Sequence, residues 1–413
     1  MDVIVERCAG LDVHKATVTA CVRYPGPGRE RAQALHTFGT TTPDLLALRD
    51  WLAAHRVPHV AMESTGVYWK PVYYTLEDGF PEVLLVNATH VAKVPGRKTD
   101  VADCVWIAPR LECGLLRGSF VPPPAIRELR DLTRYRKTLI QDRTREVNRL
   151  HKVLEDAGLK LASVATDVLG ASGRAMLTAL VAGTTDPGVL ADLARGRLRA
   201  KLPALRQALT GHVRGHHAFL LTHLLAHLDY LDELLAALSQ EIEAHLVPFA
   251  AEAARLQTIP GVKQRSAEAI VAEIGVDMTR FPTAGHLASW AGLCPGNTQT
   301  AGKRRRGRAR KGDPWLKGTL VEASLAAIRV KGSRFGALYR RICRRAGHNV
   351  AIVAVAHAIL EIAWYLLRHG TTYHELGADY LDRRDKQRTT DHYVRLLEKL
   401  GHRVTLEPAA IAA

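Results

Sequence analysis

The sequence predicts an α/β domain with a mixed sheet, followed by an all-α region. Apolar segments rich in β-branched residues alternate with amphipathic helical segments as far as residue 121. Three prolines at 122–124 then interrupt the chain, and beyond them apolar residues recur at spacings of three and four. These observations divide the chain into four predicted parts, which are residues 1–121, 122–250, 251–375 and a charged C-terminal appendage at 376–413.

Strands and helices alternate in the predicted N-terminal domain. Two strands are predicted at 3–13 and 16–24, with a turn at the segment PGPG. The elements predicted after this turn are a helix at 43–56, a strand at 58–62, a helix at 68–78 and a strand at 82–87. The order β-β-α-β-α-β is typical of an α/β domain with a mixed sheet.

The first predicted helix of the middle region ends near residue 156 and is strongly basic. Its cations are Arg127, Arg130, Arg134, Arg136, Lys137, Arg143, Arg145, Arg149 and Lys152. Two interpretations stay open at this point. The helix could lie along a phosphate backbone, or its charges could form a solvated face that pairs locally with interspersed carboxylates such as Glu128 and Glu146.

A second long helix is predicted from about Pro203 toward Pro248. Its apolar seam repeats at three and four residues, and consists of Leu221, Leu224, Leu228, Leu231, Leu235, Leu238 and Ile242. The seam predicts either a dimer or a helical hairpin within one chain, and we expect a dimer. Histidines flank it at 212, 216, 223 and 227, and we interpret them as part of a packed helix interface instead of a zinc site.

The C-terminal region combines a predicted helix-hairpin-helix with a strongly basic run. Residues 256–275 contain a helix end, a turn at Pro260-Gly261 and an Ala-rich helix, an arrangement that offers backbone N–H groups to a phosphate. The basic run predicts contact with a polyanion through Lys303, Arg304, Arg305, Arg306, Arg308, Arg310 and Lys311. Apolar helices are then predicted at 314–330, 334–346 and 349–369.

Composition favours a nucleic-acid-binding protein of a reducing compartment. The formal charge is +16 and the isoelectric point is near 9.8, which indicates a polyanionic partner. The six cysteines are scattered without a C-x-x-C pair, so neither a disulfide framework nor a zinc site is indicated. We expect no signal peptide and no membrane span, because the most apolar stretch, at 350–367, is interrupted by His357 and Glu361.

Four carboxylates form a candidate metal site. Asp100 and Asp103 lie three residues apart at the start of a predicted helix, where i and i+3 share a face. Asp12 ends the first predicted strand and Glu63 ends a central one. Taken alone, Asp100 and Asp103 could also be an ordinary helix start, where aspartate is common. We expect the acids from these distant segments to converge at one edge of the sheet, where a hard divalent cation such as Mg²⁺ would offset their repulsion. Two metal ions held in this way suit phosphodiester chemistry.

The segments around these acids resemble a known family. LDVHK around Asp12, AMESTGVYW around Glu63 and GRKTDVADC around Asp100 and Asp103 are similar to the acidic motifs of the DEDD transposases of insertion-sequence family one hundred and ten. The resemblance covers about residues 5–375. It implies an RNase H-like N-terminal domain, Mg²⁺ held by the four acids, homo-oligomers that are dimers or tetramers on DNA, an active site shared between subunits, and a guide RNA encoded by the element.

The same resemblance implies a hydroxyl nucleophile in the C-terminal domain. The family motif has a serine just before AGKRR, and here that position is Thr300, whose added methyl group stiffens χ1. We therefore expect a transposase that cuts and exchanges DNA strands in a prokaryotic cytoplasm, in association with the nucleoid. Two alternatives stay open, namely a metal-dependent junction-resolving nuclease with water as nucleophile and a decayed transposase that only binds nucleic acid.

Overall fold

The computed structural model describes residues 3–27, 30–63, 66–87, 102–300, 303–309, 311–384 and 386–407, with the backbone alone at 102, 297–300, 303–309 and 387–389. The chain forms two compact units, Met1–Val121 and Pro122–Ala413. The first is built on a mixed sheet and the second is mostly helical, as the sequence predicts.

The first unit contains a five-stranded sheet in the order β3-β2-β1-β4-β5. Its strands are β1 (Cys8–Val13), β2 (Thr17–Pro25), β3 (Arg31–Gly39), β4 (His59–Glu63) and β5 (Glu82–Val86). The first three strands pair antiparallel, whereas β1, β4 and β5 pair parallel. Because β1 is central and its residues are buried throughout, all its residues except Asp12 are apolar or glycine.

The sequence-based assignment was wrong at two places in this sheet. It placed no strand at β3, and it started the first strand at residue 3 although β1 begins at Cys8. Strand β3 lies at the edge of the sheet and is only half-buried or exposed along its length. An edge strand that buries neither face fully is not required to alternate clearly, which explains why the pattern missed it.

The two faces of the sheet carry different helices. On one face, α1 (Thr42–Ala54) and α2 (Trp69–Leu76) bury leucines against Leu11, Val60 and Met62. On the other face, α3 (Ala102–Glu112) packs through Ile107 and Leu111 against Cys8, Ala61 and Val86. Residues of β1 therefore alternate between an α1–α2 face and an α3 face, as the pleat requires.

The second unit is helical apart from one hairpin among the residues the structure describes. Its helices are α4 (Pro124–Asp156), α5 (Leu161–Val164), α6 (Ala171–Val181), α7 (Pro187–Asp192), α8 (Leu202–Ala208), α9 (Gly215–Leu246), α10 (Ala250–Gln257), α11 (Gln264–Ile274), α12 (Ala284–Trp290), α13 (Pro314–Ala327), α14 (Arg334–Ala346), α15 (His348–His369), α16 (Tyr380–Arg384) and α17 (Lys386–Lys399). The charged appendage is thus partly helical. Helix α15 is long and apolar enough to cross a membrane, but 56% of its apolar window is buried within the protein, as in a core helix.

The leucine seam of α9 packs within the chain. Leu221, Leu225 and Leu228 join Leu150 and Leu154 of α4 in one core, which the short helices between α4 and α9 complete. The helix begins at Gly215 and not near Pro203, where the separate helix α8 lies. The seam therefore packs as in the second alternative, a helical hairpin within one chain. It leaves no exposed leucine stripe that would require a dimer. Dimer formation itself stays a prediction.

Several arginines of α4 form buried ion pairs, an outcome that neither interpretation from the sequence included. The Arg134 guanidinium donates from Nε and one terminal nitrogen to both carboxylate oxygens of Glu273 on α11, each at 2.7 Å. Arg134 also contacts Asp313, the N-cap of α13, at 3.0 Å. Arg136 pairs with buried Glu268, also on α11. These arginines join α4 to α11 and α13, so they are not available to a phosphate backbone.

Arg130 completes this network from the same side of α4. It donates to the carbonyl oxygens of Ala272 and Glu273 at 3.1 and 2.6 Å, and so satisfies the C-terminal end of α11. Burial raises the pKa of Glu273, and the hydrogen bonds from Arg134 oppose that shift. A carboxylate this deeply buried depends on its arginine partners to stay charged.

The predicted helix-hairpin-helix is formed by α10 and α11. Gly261 in the connecting turn has a φ of +86°, and a Cβ there would lie 2.2 Å from the Ala323 carbonyl oxygen of α13. Lys263, by contrast, has a φ of −114°, so the turn needs no glycine at that position.

The basic run forms a β-hairpin that the sequence did not predict. Strand β6 (Pro295–Thr300) pairs antiparallel with β7 (Lys303–Ala309), with Thr300 opposite Lys303 and Gln299 opposite Arg304. A run of cations carries no apolar alternation, so the strand was not visible from periodicity.

Removing the buried acid of this network should destabilise the second unit. Glu273→Ala leaves Arg130 and Arg134 without their main partner, and we expect a loss of about 3–5 kcal/mol in the free energy of unfolding, measured by urea denaturation. Glu322→Ala is the control, because Glu322 is 71% exposed and contacts Lys137 at 3.7 Å, so its loss should cost less than about 1 kcal/mol. Equal effects of the two changes would contradict the structural role of the network.

Candidate functional site

Two of the predicted acids lie at the carboxyl ends of neighbouring parallel strands. The β1–β4 register pairs Gly10 with Ala61 and Leu11 with Met62, so Asp12 and Glu63 each follow the last paired residue. Gly10 and Ala61 face α3, and side chains alternate along a strand, so Asp12 and Glu63 also lie on the α3 face. Asp12 is buried and Glu63 is half-buried.

Helix α3 crosses directly over β1 at Gly10. A Cβ on Gly10 would lie 2.5 Å from the Cys104 carbonyl oxygen and 2.6 Å from the Ala108 nitrogen, so only glycine permits this approach. The helix runs opposite to β1, since the carbonyl oxygen of Glu112 at its end accepts from the Val5 N–H ahead of β1. Its first turn, which contains Asp103, therefore lies at the same end of β1 as Asp12.

Cys104, next to Asp103 on α3, lies close enough to Asp12 for the two groups to interact electrostatically. Burial raises the pKa of the Cys104 thiol to about 11, with further contributions from Cys21 and from the negative charge of Asp12. Asp12 also contacts His14, whose Nε2 lies 3.3 Å from the Asp12 Oδ2 atom. Three acids from separate segments, Asp12, Glu63 and Asp103, thus gather at one edge of the sheet on one face.

The far end of α3 is held by a buried carboxylate. Glu112 ends the helix and is 3% exposed. Arg23 on β2 donates from Nε to Glu112 Oε2 at 2.8 Å, and Arg31 on β3 contacts the other oxygen. The two arginines neutralise an acid at a helix C-terminus, where it would otherwise be unfavourable. They tie α3 to two strands and so fix where its first turn lies.

Neither Gly10 nor Glu112 was singled out from the sequence. A glycine inside an otherwise apolar strand is a signal of close backbone approach, and it was available in the segment CAGLDV. Glu112 gave no comparable signal, because its partners Arg23 and Arg31 are distant in the chain. Both residues position the candidate site without belonging to it.

The other predicted site residues are only partly described. Asp100 and Arg310 lie outside the described residues. Thr300 and the cations from Lys303 to Arg308 lie on β6 and β7, where the backbone alone is described, and Lys311 is exposed. Ser324, the nearest downstream serine, is fully buried and donates to the Leu320 carbonyl oxygen at 2.7 Å, so it is a packed residue.

Both parts of the chain match known transposase families. Residues 9–158 match the family model for the DEDD domain of IS110, described as a transposase, and residues 253–340 match the model described as "Transposase IS116/IS110/IS902 family". The chain belongs to the IS110 family of transposases. The matched segments include Asp12, Glu63 and Asp103 in the first unit and the basic hairpin in the second.

Curated relatives extend over most of the chain. An uncharacterised 43.6 kDa protein of insertion element IS110 from Streptomyces coelicolor is 28% identical over 68% of this chain and 73% of its own length. An IS116 protein from Streptomyces clavuligerus is 29% identical over 83% of this chain and 93% of its own length. The transposase of IS1111A from Coxiella burnetii is 25% identical over 78% and 81% of the two chains.

One further group of possible metal ligands is explained as a helix cap. Asp156, His216 and His217 place ligand atoms within 4.8 Å of one another. However, Nδ1 of His217 accepts the Arg214 backbone N–H at 3.1 Å, and Nε2 lies 2.9 Å from Asp156 Oδ2. Both ring nitrogens are thus occupied in joining the start of α9 to the end of α4. His217 was not among the histidines singled out from the sequence, of which only His216 belongs to this group.

A side chain at Gly10 should separate α3 from β1. We expect Gly10→Ala to lower the free energy of unfolding by about 1–3 kcal/mol. The new methyl group would meet backbone atoms, which cannot move aside as a flexible side chain could. Gly79→Ala is the matched control in the same unit, since its nearest neighbour would lie at 3.6 Å, an ordinary contact. Thermal unfolding of both variants measures the difference, and a neutral Gly10→Ala would contradict the close approach.

Proposed function

We propose that this IS110-family transposase cuts and exchanges DNA strands at a carboxylate site formed by Asp12, Glu63, Asp100 and Asp103. The supporting observation is the gathering of Asp12, Glu63 and Asp103 at one edge of the sheet. The strand order β3-β2-β1-β4-β5, with the first three strands antiparallel, supports an RNase H-like domain. The site would act on DNA in the cytoplasm.

The donor set of this site fits a hard divalent cation. DEDD-type transposases generally use a divalent metal. Carboxylate oxygens from a buried aspartate and two half-buried acids are the ligand type that Mg²⁺ takes. Asp12, Glu63 and Asp103 would hold it, with Asp100 as the fourth ligand. When bound, the metal would lower the cost of the charge that develops on the attacked phosphate.

The chain's own residues would place and supply the reacting groups. The sheet edge and the first turn of α3 hold carboxylates that would otherwise repel one another. The basic residues of β7 would neutralise DNA phosphates. The Thr300 hydroxyl would attack phosphorus, form a phosphodiester bond to the protein and release a DNA 3′-hydroxyl or 5′-hydroxyl end. Such a link retains the bond energy needed for rejoining without a high-energy cofactor.

The family resemblance supports two further parts of the proposal. A guide RNA encoded by the element would select target and donor, and the protein would act as a dimer or a tetramer on DNA. The net charge of +16 is compatible with binding both nucleic acids.

A second candidate function is a junction-resolving nuclease that uses water as the nucleophile. The observation that favours it is the threonine at position 300, because the added methyl group crowds a hydroxyl that must reach phosphorus. A denaturation-resistant protein–DNA adduct distinguishes the transposase from this nuclease. A decayed transposase that only binds nucleic acid would give neither an adduct nor cleavage.

Loss of a single carboxylate should abolish cleavage while the fold is retained. We expect Asp12→Asn and Asp103→Asn to reduce metal-dependent strand cleavage to background, because each removes one negative ligand. Asp50→Asn is the control, since Asp50 is an exposed acid of α1 whose neighbour is Arg49. Cleavage is measured on a labelled element-end DNA with Mg²⁺ present. Wild-type cleavage by Asp12→Asn at the same metal concentration would refute the assignment.

Two substitutions of Thr300 distinguish the role of its hydroxyl group from the role of its side-chain shape. Thr300→Val keeps the shape and should eliminate the covalent adduct and strand exchange, whereas Thr300→Ser should retain or raise both by relieving crowding at Cβ. Thr298→Val, two residues earlier on β6, is the matched control and should leave the adduct in place. An adduct formed normally by Thr300→Val would move the chemistry to another residue.

A further inference from the structure

Helix α14 carries four arginines on its outer face. Arg340, Arg341, Arg344 and Arg345 are all exposed, and they form two pairs at i and i+4. Residues at this spacing lie one above the other on a helix, about 5–6 Å apart at Cβ. The guanidinium groups therefore form a compact cationic surface, which we call the α14 arginine face.

No acidic residue lies near this face in the sequence. Between Ala323 and Leu360 the chain contains no aspartate or glutamate, although Arg329, Lys331 and Arg334 precede the face. Arg340, Arg344 and Arg345 make no ion pair with a carboxylate in the part of the chain that the structure describes. Like charges held together in this way repel one another unless a polyanion neutralises them.

The arginines of α4 provide the contrast. Arg143 pairs with Asp232, Arg145 pairs with Asp142 and Arg149 pairs with Glu146. These three cations are exposed or half-buried, like those of α14, but each already has a carboxylate. A phosphate would have to displace that carboxylate on α4, whereas at Arg340, Arg344 and Arg345 of α14 it would not.

The opposite side of α14 is turned into the protein. Phe335 and Gly336 are buried, Leu338 and Ile342 are half-buried, and the helix packs against α15. A helix that binds a lipid surface inserts an exposed apolar face beside its cations. The apolar side of α14 is not exposed, so the geometry favours a partner that offers charge alone.

We infer that the α14 arginine face binds the phosphate backbone of a nucleic acid, in addition to the contact expected of the basic hairpin. The inference rests on the proposed function, which supplies both DNA and RNA as partners. Arginine presents planar N–H donors that match phosphate oxygens, and backbone contacts of this kind fix position without reading sequence. The site is a second anchoring surface and has no part in the chemistry.

Salt dependence of binding tests the inference. The full-length variant Arg340→Gln, Arg344→Gln, Arg345→Gln removes three charges and keeps helix-forming side chains. We expect the slope of log affinity against log salt for duplex DNA to fall by about 0.9 for each phosphate that the variant no longer neutralises, equally for unrelated sequences. A structured RNA is titrated in parallel. If the slope changes for only one of the two nucleic acids, that nucleic acid is the one bound by the α14 arginine face.

The matched control is the variant Arg143→Gln, Arg145→Gln, Arg149→Gln, which has the same loss of charge on α4. Its slope should stay at the wild-type value. An unchanged slope for the α14 variant on both nucleic acids, or an equal change for the α4 variant, would overturn the inference. A loss of binding to phosphatidylglycerol vesicles with unaltered binding to nucleic acid would overturn it as well.

Two additional measurements make the result interpretable. Thermal unfolding of the α14 variant should match the wild type, because the three side chains are exposed. Asp12→Asn, tested beside it, should lose cleavage but keep the wild-type slope. An unaltered slope in the α14 variant would then refute the arginine face alone, whereas cleavage by Asp12→Asn would refute the acidic site alone.

Discussion

The close approach of α3 to β1 at Gly10 is the constraint on which the candidate site depends. A backbone carbonyl and a backbone N–H of the helix lie where a side chain would stand on the strand. This contact sets the distance of the helix from the sheet, and the Glu112 ion pairs set its direction. Asp103 needs both, because it lies in the first turn, whereas Asp12 and Glu63 are placed by strand register alone. The site is thus divided between a part fixed by the sheet and a part fixed by the position of α3.

The parts of the site that depend on local sequence could be predicted, whereas those that depend on contacts between distant residues could not. Asp12 and Glu63 could be placed because buried strands have a clear apolar pattern and the residue that ends them is visible. The course of α3 could not, since it depends on Glu112 meeting Arg23 and Arg31, residues far away in the chain. Strand β3 was missed for a related reason. Its place in the sheet comes from pairing with β2, and its exposed side chains carry no periodic signal.

The helical unit shows the same limit for charged residues. The sequence shows that α4 is basic, but it does not show that Glu268 and Glu273 of α11 face it. Two glutamates on a short Ala-rich helix look like ordinary surface charges until tertiary packing buries them. The leucine seam of α9 is a similar case. Its periodicity predicts that the seam is buried, but does not show whether a second chain or a helix of the same chain buries it. Here α4 and the short helices α5 to α8 cover much of it.

Net charge alone does not say where a polyanion binds, because paired and unpaired arginines count equally in it. On α4, Arg143, Arg145 and Arg149 each already pair with a carboxylate, so exchanging that partner for phosphate gains little. Arg340, Arg344 and Arg345 of α14 make no ion pair with a carboxylate among the described residues. By neutralising phosphates they would release the counterions condensed on the nucleic acid, which is the favourable term. The basic residues behind the +16 charge are spread over the sequence, but only some of them are available to bind a polyanion. Strand β7 and helix α14 each combine several cations with no acid of their own, and a nucleic-acid backbone would gain most there.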